Sequence, residues 1–306
     1  MSTLGDYLAY LALRLAWAAG RIIGPVLLRR VLETLGRVAS RVDWRRRDVV
    51  ADNLRNAFPE WSELRIASTA TRTYANWGRI AAEVINVDTV VDEAAISRIE
   101  PLFQAVDNLA AEGRGVLLLT AHTGNFELLC RMCGLGGKRV AAFNKRMHNR
   151  FIARFLAAQR AAAGVDELND IFETRRALRE LRRGLLVAVP LDQNQSPGRG
   201  VFVEMFGRKA ATSPVLAKLS LSTGAPVLPV FAVWRDQEVV AVLGDAIWPE
   251  EAGGDGPVAR GREDPRLISL TARYTAEIER VVRLYPDQWN WTHGRWRTRP
   301  EGEKII

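Results

Sequence analysis

The spacing of apolar and polar positions changes once along the chain, near residue 96. Before that point apolar residues recur every three or four positions, which is the period of one face of an α-helix. After it, short apolar runs alternate with helical segments, an order typical of α/β proteins whose sheet is mostly parallel. We therefore predict an α/β fold, a three-layer sandwich with a mostly parallel central sheet flanked by helices.

The individual elements are predicted from these runs and from the turn residues between them. Helices are expected at 44–58, 62–86, 101–111, 125–135, 149–163, 174–183, 213–223 and 265–284, and strands at 116–121, 139–143, 165–168, 185–190, 201–206, 226–234 and 238–243. The Gly- and Asp-rich stretch 250–264 is predicted to be a loop. We predict two units, an N-terminal segment at 1–40 and a main domain at 41–306, with a helical layer at 44–86 and an α/β core at 96–300.

Residues 4–23 are apolar enough to suggest a membrane-spanning helix, but two arginines interrupt them. On a helix, the apolar residues share one face and an aromatic and basic stripe lies opposite. The apolar face holds Leu8, Leu11, Leu15 and Ile22, and the opposite face holds Tyr10, Arg14, Trp17 and Arg21. After a break at Gly24–Pro25 a second amphipathic segment follows. This pattern is typical of helices that lie in the membrane interface, so we predict an amphipathic membrane anchor; packing on the protein's own core is the alternative.

Composition narrows the range of partners. The chain has 306 residues, and its 43 basic residues exceed the 35 acidic ones, which gives a formal charge of +8. Such a charge favours an acidic partner: anionic lipid headgroups, an acidic carrier protein or nucleic acid. The sequence contains neither zinc-finger spacing nor an RNA-binding aromatic signature, so no nucleic acid is predicted.

The two cysteines, Cys130 and Cys133, form an isolated C-x-x-C within the predicted helix 125–135. A zinc site needs two further ligands nearby, and the sequence offers none. We therefore predict buried thiols, no bound metal and no cofactor. Such thiols suit a reducing compartment, which indicates that the main domain is cytoplasmic.

The best candidate for catalysis is His122, in the stretch GVLLLTAHTGNFELL at 115–129. It stands at the end of a predicted buried strand, where open α/β sheets bind their ligands. Glu127 follows one helical turn later, and a carboxylate that orients an imidazole is the arrangement that a general base needs. A histidine that merely caps the following helix is the alternative. Neither Ser nor Cys stands beside His122 at a recognisable nucleophile elbow.

Further candidates surround this stretch. Asp192 and Gln193 follow the predicted strand 185–190 and should face the same cleft as His122. Asp192 is a candidate for binding a sugar hydroxyl or for securing its loop. Gly124 and Asn125, at the predicted start of a helix, offer backbone N–H groups for an oxyanion, although ordinary turn chemistry explains them equally well.

Six segments then occur in an order that characterises one protein family. They are NLRNAFP at 53–59, AHTGNFE at 121–127, PLDQ at 190–193, GVFVEMFG at 200–207, APVLPV at 225–230 and PDQWNWTHGRW at 286–296. The set resembles the late acyltransferases of lipid A biosynthesis, the lauroyl/myristoyl transferase family within the lysophospholipid acyltransferase-like group. The resemblance covers about residues 44 to 300.

This resemblance implies roles for particular residues. His122 and Glu127 match the family's His-x4-acid motif, in which the histidine is the general base and the acid supports it. Arg160 matches an arginine of the second motif region, and either it or Arg146 could neutralise a phosphate; a solvated helix face is the alternative. The substrate-binding residues expected on these grounds are Gly124, Asn125, Arg146, Arg160, Asp192 and Gln193.

The resemblance also implies a reaction. We expect a membrane-associated O-acyltransferase that moves a fatty acyl chain from acyl carrier protein, or from coenzyme A, to a hydroxyl of a lipid A precursor. Its expected place is the cytoplasmic face of the inner membrane. Three alternatives remain open: a sister transferase acting on a phospholipid or another glycolipid, an acyl-thioesterase, and a non-catalytic protein that binds membranes or polyanions.

Overall fold

A six-stranded sheet lies at the centre of the protein. The computed structural model describes residues 4–111, 113, 115–144, 147–169, 173–253 and 261–303. The sheet strands are β1 (Val116–Thr120), β2 (Val140–Asn144), β3 (Val165–Asn169), β4 (Leu186–Pro190), β7 (Val227–Arg235) and β8 (Glu238–Leu243), and β5 (Val201–Met205) and β6 (Arg208–Thr212) form a separate hairpin. The order across the sheet is β3-β2-β4-β1-β7-β8, and only β8 runs antiparallel to its neighbour.

Twelve α-helices surround the sheet in the part of the chain that is described. They are α1 (Leu4–Ile23), α2 (Pro25–Val42), α3 (Trp44–Ala57), α4 (Glu63–Ile85), α5 (Val87–Val90), α6 (Glu93–Ser97), α7 (Glu100–Ala110), α8 (Phe126–Leu135), α9 (Arg150–Ala162), α10 (Thr174–Arg182), α11 (Val215–Thr223) and α12 (Pro265–Leu284). Helix starts follow capping chemistry: the side chains of Asp43, Ser62 and Asn149 each accept a backbone N–H of the helix that follows.

The helices cover both faces of the sheet. Helices α8 and α9 connect β1 to β2 and β2 to β3, which moves the chain toward the β3 edge of the sheet, whereas α10 connects β3 back to β4. Because such crossover connections are right-handed, α10 lies on the face of the sheet opposite α8 and α9. The apolar core agrees, since Leu118 of β1 packs with α8 on one side and Leu117 packs with α10 on the other. The predicted α/β fold with a mostly parallel sheet flanked by helices is confirmed.

One strand was not predicted from the sequence. The segment RKAAT of β6 is short and contains two charged residues and two alanines, so its composition does not favour a strand. It pairs with β5 because Phe206 and Gly207 both have positive φ, which is the geometry of a tight hairpin turn. Phe206 therefore shapes this hairpin and packs against Phe58 and Trp291.

The amphipathic α1 uses its two faces differently. Its aromatic face packs against α9, where Tyr10 stacks on Phe151 and Trp17 contacts Phe155 edge-on. The leucine face, predicted to be apolar, is exposed to solvent; Leu15 is 72% accessible. Among the described residues, no helix has both the length and the apolar character needed to cross a bilayer. One face of α1 thus packs on the protein, as the alternative interpretation required, and the other does not.

The second helix, α2, crosses α4 at a backbone-to-backbone contact. A Cβ added to Gly36 would lie 2.3 Å from the carbonyl oxygen of Tyr74, and one added to Gly78 would lie 2.1 Å from that of Leu32. Because both obstructing atoms belong to the main chain, no side-chain rotation can make room. The two glycines are therefore what allows α2 to pack so closely.

We expect Gly78→Ala to lower the free energy of unfolding by about 1–3 kcal/mol, the usual cost of overpacking. In an unobstructed helix the same change would stabilise by up to about 1 kcal/mol, so the sign is diagnostic. Urea unfolding followed by circular dichroism measures it. Ser68→Ala on the exposed face of α4 is the control, and an unchanged or stabilised Gly78→Ala protein would contradict the close crossing.

Candidate active site

A histidine and a carboxylate meet at the ends of two neighbouring strands. β1 and β4 pair in parallel with Thr120 opposite Pro190, so the residues two positions further on, His122 and Asp192, come together at the carboxyl edge of the sheet. His122 Nδ1 lies 2.8 Å from Asp192 Oδ1, and the backbone N–H of His122 donates to Asp192 Oδ2 at 3.0 Å. Asp192 thus fixes both the ring and the main chain of His122.

The carboxylate on the imidazole differs from the one that the sequence suggested. The His-x4-Glu spacing predicts that Glu127 orients His122, but Glu127 accepts hydrogen bonds from Arg160, whose Nε lies 3.0 Å from Glu127 Oε2. Glu127 lies in the first turn of α8, and its side chain is directed to α9. Asp192, a candidate for binding a sugar hydroxyl or for securing its loop, uses its buried oxygens to hold His122 and Trp289. The carboxylate in contact with the imidazole is therefore that of Asp192, and Glu127 is held by Arg160.

Burial and charge act in opposite directions on this pair. Burial alone lowers the pKa of His122, but the nearby carboxylates of Asp192 and Glu127 outweigh it and raise that pKa above its ordinary value of 6.5. Burial likewise opposes ionisation of Asp192, yet the hydrogen bonds from His122 and Trp289 hold its pKa well below the usual range. Asp192 is consequently ionised at neutral pH, and Glu127 acts on the imidazole through its charge.

A cavity of about 590 Å³ opens beside His122. It runs from the ends of β1 and β4 toward β2 and β3, under α8 and α9, and its walls mix aliphatic with polar side chains. Cys130 lines it, but burial raises the pKa of this thiol to about 12, so little thiolate exists at neutral pH. Concave, partly apolar cavities of this size are typical of small-ligand and acyl-chain sites.

The second ring nitrogen of His122 is directed to Gln193. Because Nδ1 donates to the Asp192 carboxylate, Nε2 is the acceptor of the neutral ring. The side-chain Nε2 of Gln193, a predicted site residue that lines the cavity, lies 3.3 Å from it. A hydroxyl group that is to give its proton to His122 must therefore take the place of the Gln193 amide.

Of the two predicted oxyanion donors, Gly124 has its N–H engaged elsewhere, whereas the bonds of Asn125 involve its side chain. The N–H of Gly124 donates to the carbonyl of Gln288 at 2.9 Å and is no longer available. Gly124 has φ +45°, and an added Cβ would lie 2.5 Å from the carbonyl oxygen of Ala232. The Asn125 side chain caps α8 by accepting the N–H of Leu128 and donates to buried Glu83 at 2.8 Å. Both residues shape the turn after His122.

The predicted phosphate ligands also have a different environment. Arg160 lines the cavity, but its guanidinium binds both Glu127 and Glu167, so a phosphate would have to compete with two carboxylates. These bonds raise its pKa despite burial. Arg146, the other candidate, lies outside the described residues. His148 lines the cavity as well.

A segment near the C-terminus, residues 288–290, completes the site. It pairs with residues 122–124: the N–H of Asn290 donates to the carbonyl of His122 at 3.0 Å, and Thr123 and Trp289 form a β-bridge. The Trp289 indole donates to Asp192 Oδ2 at 2.8 Å. Both His122 and Asp192 are thus held by this segment.

Sequence reasoning missed these contacts. All three tryptophans of this segment, Trp289, Trp291 and Trp296, are buried in the core. His293 was not singled out, although its Nε2 accepts the N–H of Asn194, and burial lowers its pKa so that it stays neutral. Only the PDQWNWTHGRW segment of the resemblance gave a signal for them.

Comparison with known proteins identifies the family. The family model described as bacterial lipid A biosynthesis acyltransferase matches residues 1–298. The chain is 24% identical to the lipid A biosynthesis lauroyltransferase of Escherichia coli strain K12, over 97% of this chain and 93% of that protein. It is 25% identical to the palmitoleoyltransferase of that organism, over 98% and 94%, and 23% identical to its myristoyltransferase, over 95% and 88%. The family predicted from the order of motifs is therefore confirmed: this chain belongs to the bacterial lipid A biosynthesis acyltransferases and is an acyltransferase.

Proposed function

We propose that this protein transfers a fatty acyl chain from an acyl thioester to a hydroxyl of a lipid A precursor, with His122 as general base. The observation that carries the proposal is the pairing of His122 Nδ1 with buried Asp192 at the wall of the cavity. That pairing leaves Nε2 free to accept a proton. The names of the relatives, which include lauroyl-, myristoyl- and palmitoleoyltransferases of lipid A biosynthesis, support the acceptor.

The chemistry requires no enzyme nucleophile. The acceptor hydroxyl displaces Gln193 from His122 Nε2, and its oxygen attacks the thioester carbonyl while His122 takes the proton. The new C–O bond forms, the C–S bond breaks, and the imidazolium returns the proton to the departing thiolate. Asp192 stabilises the imidazolium and keeps the ring in the required tautomer, as the aspartate does in a serine-hydrolase triad.

We assign the donor to an acyl carrier protein in preference to coenzyme A. The formal charge of +8 favours an acidic macromolecule, and acyl carrier proteins are the acidic partner that the family resemblance implies. Both donors present the same thioester to His122, so the chemistry at the carbonyl is common to them.

We also propose that the protein lies on the membrane surface, at the cytoplasmic face of the inner membrane. The exposed leucine face of α1 supports this, and α2 adds a second exposed apolar stripe with Leu27, Leu35 and Val42. The N-terminal end of α1 is next to the cavity, because the Asn149 side chain donates to the carbonyl of Asp6 and the adjacent His148 lines the cavity. A lipid acceptor held at this surface could reach His122 without leaving the bilayer.

Mass spectrometry of lipids tests the reaction. The wild-type protein is expressed in a bacterial host that lacks its own late lipid A acyltransferases, with the empty host and His122→Ala as controls. We expect lipid A to gain one acyl chain with the wild type alone. A gain on a different lipid would reassign the acceptor, and release of free fatty acid without any lipid product would replace the transferase by a thioesterase.

The contact between Trp289 and Asp192 predicts a positioning role. Trp289→Phe keeps most of the packing but removes one N–H donor from a buried carboxylate, and a bond to a charged group contributes about 1.5–3 kcal/mol. We expect kcat/KM to fall about tenfold or more and the pKa of Asp192 to rise. Trp291→Phe is the matched control, because this neighbouring buried indole donates to Pro286 and not to Asp192. Equal losses of activity in the two variants would mean that Trp289 only packs.

A further inference from the structure

The outer face of α10 carries the densest exposed positive charge on a single short helix of the described chain. Arg175, Arg179, Arg182 and Arg183 are exposed, whereas Ala177 and Leu181 on the opposite side pack into the core. These four arginines and Leu178 line a shallow surface groove of about 470 Å³. The helix therefore presents a basic surface with an apolar centre to the solvent.

This charge is poorly compensated within the protein. Glu180 is 3.8 Å from both Arg179 and Arg183, which is a loose contact. Arg175 and Arg182 make no ion pair with any residue in the described ranges. Since Arg175 and Arg179 stand four residues apart, as do Arg179 and Arg183, their charges repel one another along the helix. A polyanionic partner would relieve this repulsion.

The first turn of α10 is connected to the cavity wall. Arg176, on the first turn of α10, donates to the carbonyl of Glu167 at 3.1 Å. The side chain of Glu167 binds Arg160, which lines the cavity beside Glu127. The first turn of α10 also follows β3, whose carboxyl end lies at the same edge of the sheet as His122. Arg175, in the first turn, therefore lies near the edge where the thioester must enter, whereas Arg182 and Arg183 lie toward the opposite edge, where β4 begins.

The position of α10 favours an acidic protein over a membrane as the partner that binds its arginine face. The exposed leucine face belongs to α1, which packs on α9, and α9 lies on the face of the sheet opposite α10. A bilayer that covers α1 would therefore leave α10 turned away from the lipid. The surface facing the cytoplasm is the one a soluble donor meets first.

We propose that the exposed arginine face of α10 docks the acidic acyl carrier protein that delivers the acyl thioester. The inference rests on the proposed function, since it assigns a binding surface to the donor of that reaction. Charge complementarity selects the partner and speeds its encounter, and Leu178 supplies an apolar contact at the centre of the groove.

Direct binding of purified holo-acyl carrier protein tests the proposal, by fluorescence anisotropy at several salt concentrations. The test variant is Arg175→Gln/Arg179→Gln/Arg182→Gln, because glutamine keeps helix propensity while it removes charge. The control is Arg41→Gln/Arg47→Gln/Arg154→Gln, which removes the same number of exposed charges elsewhere. We expect the α10 variant to bind at least about tenfold more weakly and with less salt dependence, and the control within about twofold of wild type.

Equal binding of the two triple variants, or failure of the wild type to bind the carrier, would overturn the docking site. Loss of binding to phosphatidylglycerol vesicles in the α10 variant, with carrier binding intact, would assign the surface to the membrane and also overturn it. Acyl transfer from acyl-coenzyme A is measured alongside. If that transfer persists while carrier binding is absent, only the docking site fails, whereas loss of transfer from every thioester refutes the proposed function itself.

Discussion

Replacing His122 with alanine is expected to lower kcat/KM for acyl transfer by about 10²- to 10⁴-fold, the usual contribution of a general base. The cavity and the carboxylate partner remain, but no group is left to take the proton from the acceptor hydroxyl. His122→Gln is the matched control for packing, because it preserves side-chain volume and a hydrogen bond toward Asp192 yet cannot carry a proton at neutral pH. Both variants should be equally slow.

The pH profile of the wild type provides a second measurement of the same base. His122 must be neutral to accept a proton, so kcat/KM should rise with pH as the ring deprotonates. Because the nearby carboxylates raise its pKa above 6.5, the midpoint of this rise should lie above 6.5. Retention of more than a tenth of the wild-type activity by either variant, or an acid limb unchanged in His122→Ala, would exclude His122 as the base.

Asp192→Asn is expected to be nearly as damaging, and the reason lies in its hydrogen bonds. Oδ2 accepts two N–H groups, from the His122 backbone and the Trp289 indole. An asparagine will therefore place its carbonyl oxygen there and turn its NH₂ toward His122 Nδ1. That nitrogen must then accept, which forces the proton onto Nε2. The base is left in the tautomer that cannot receive a proton.

In serine-protease triads this tautomer change costs about 10⁴-fold in kcat, and we expect a loss of 10³- to 10⁴-fold here. The acid limb of the pH profile should also move to lower pH, since burial lowers the pKa of His122 once the charge of Asp192 is gone. Asp107→Asn, an exposed carboxylate paired with Lys138, is the control. An active Asp192→Asn enzyme with an unmoved limb would show that the carboxylate does not act through His122.

The strands and helices were largely predictable because each depends on a local period of apolar residues. The sheet edge that collects His122, Asp192 and Gln193 was predictable for the same reason, since all three follow buried strands. The missed strand β6 depends instead on the turn at Phe206–Gly207, whose positive φ values allow a charged, alanine-rich segment to pair.

The partner of His122 was harder to predict because it depends on strand order. Glu127 lies five residues from His122 along the chain and is therefore the obvious candidate. Asp192 is brought close to His122 only because β4 lies beside β1 in the sheet. The contact of Trp289 is even harder to predict from the sequence, since it depends on a pairing between the segment near residue 290 and the turn after β1. Neither pairing leaves a periodic signal, so the geometry was needed to distinguish Asp192 from Glu127.

Because residues 122–124 pair with residues 288–290, the two segments that meet at the site are synthesised at different times. Ribosomes add about 5–20 residues per second, so His122 is made many seconds before the segment that holds it and Asp192 in place. An unfinished chain on the ribosome therefore has its histidine without the support that orients it. His122 and Asp192 can take up their final geometry only after residues 288–290 have left the ribosome and paired with the turn after β1.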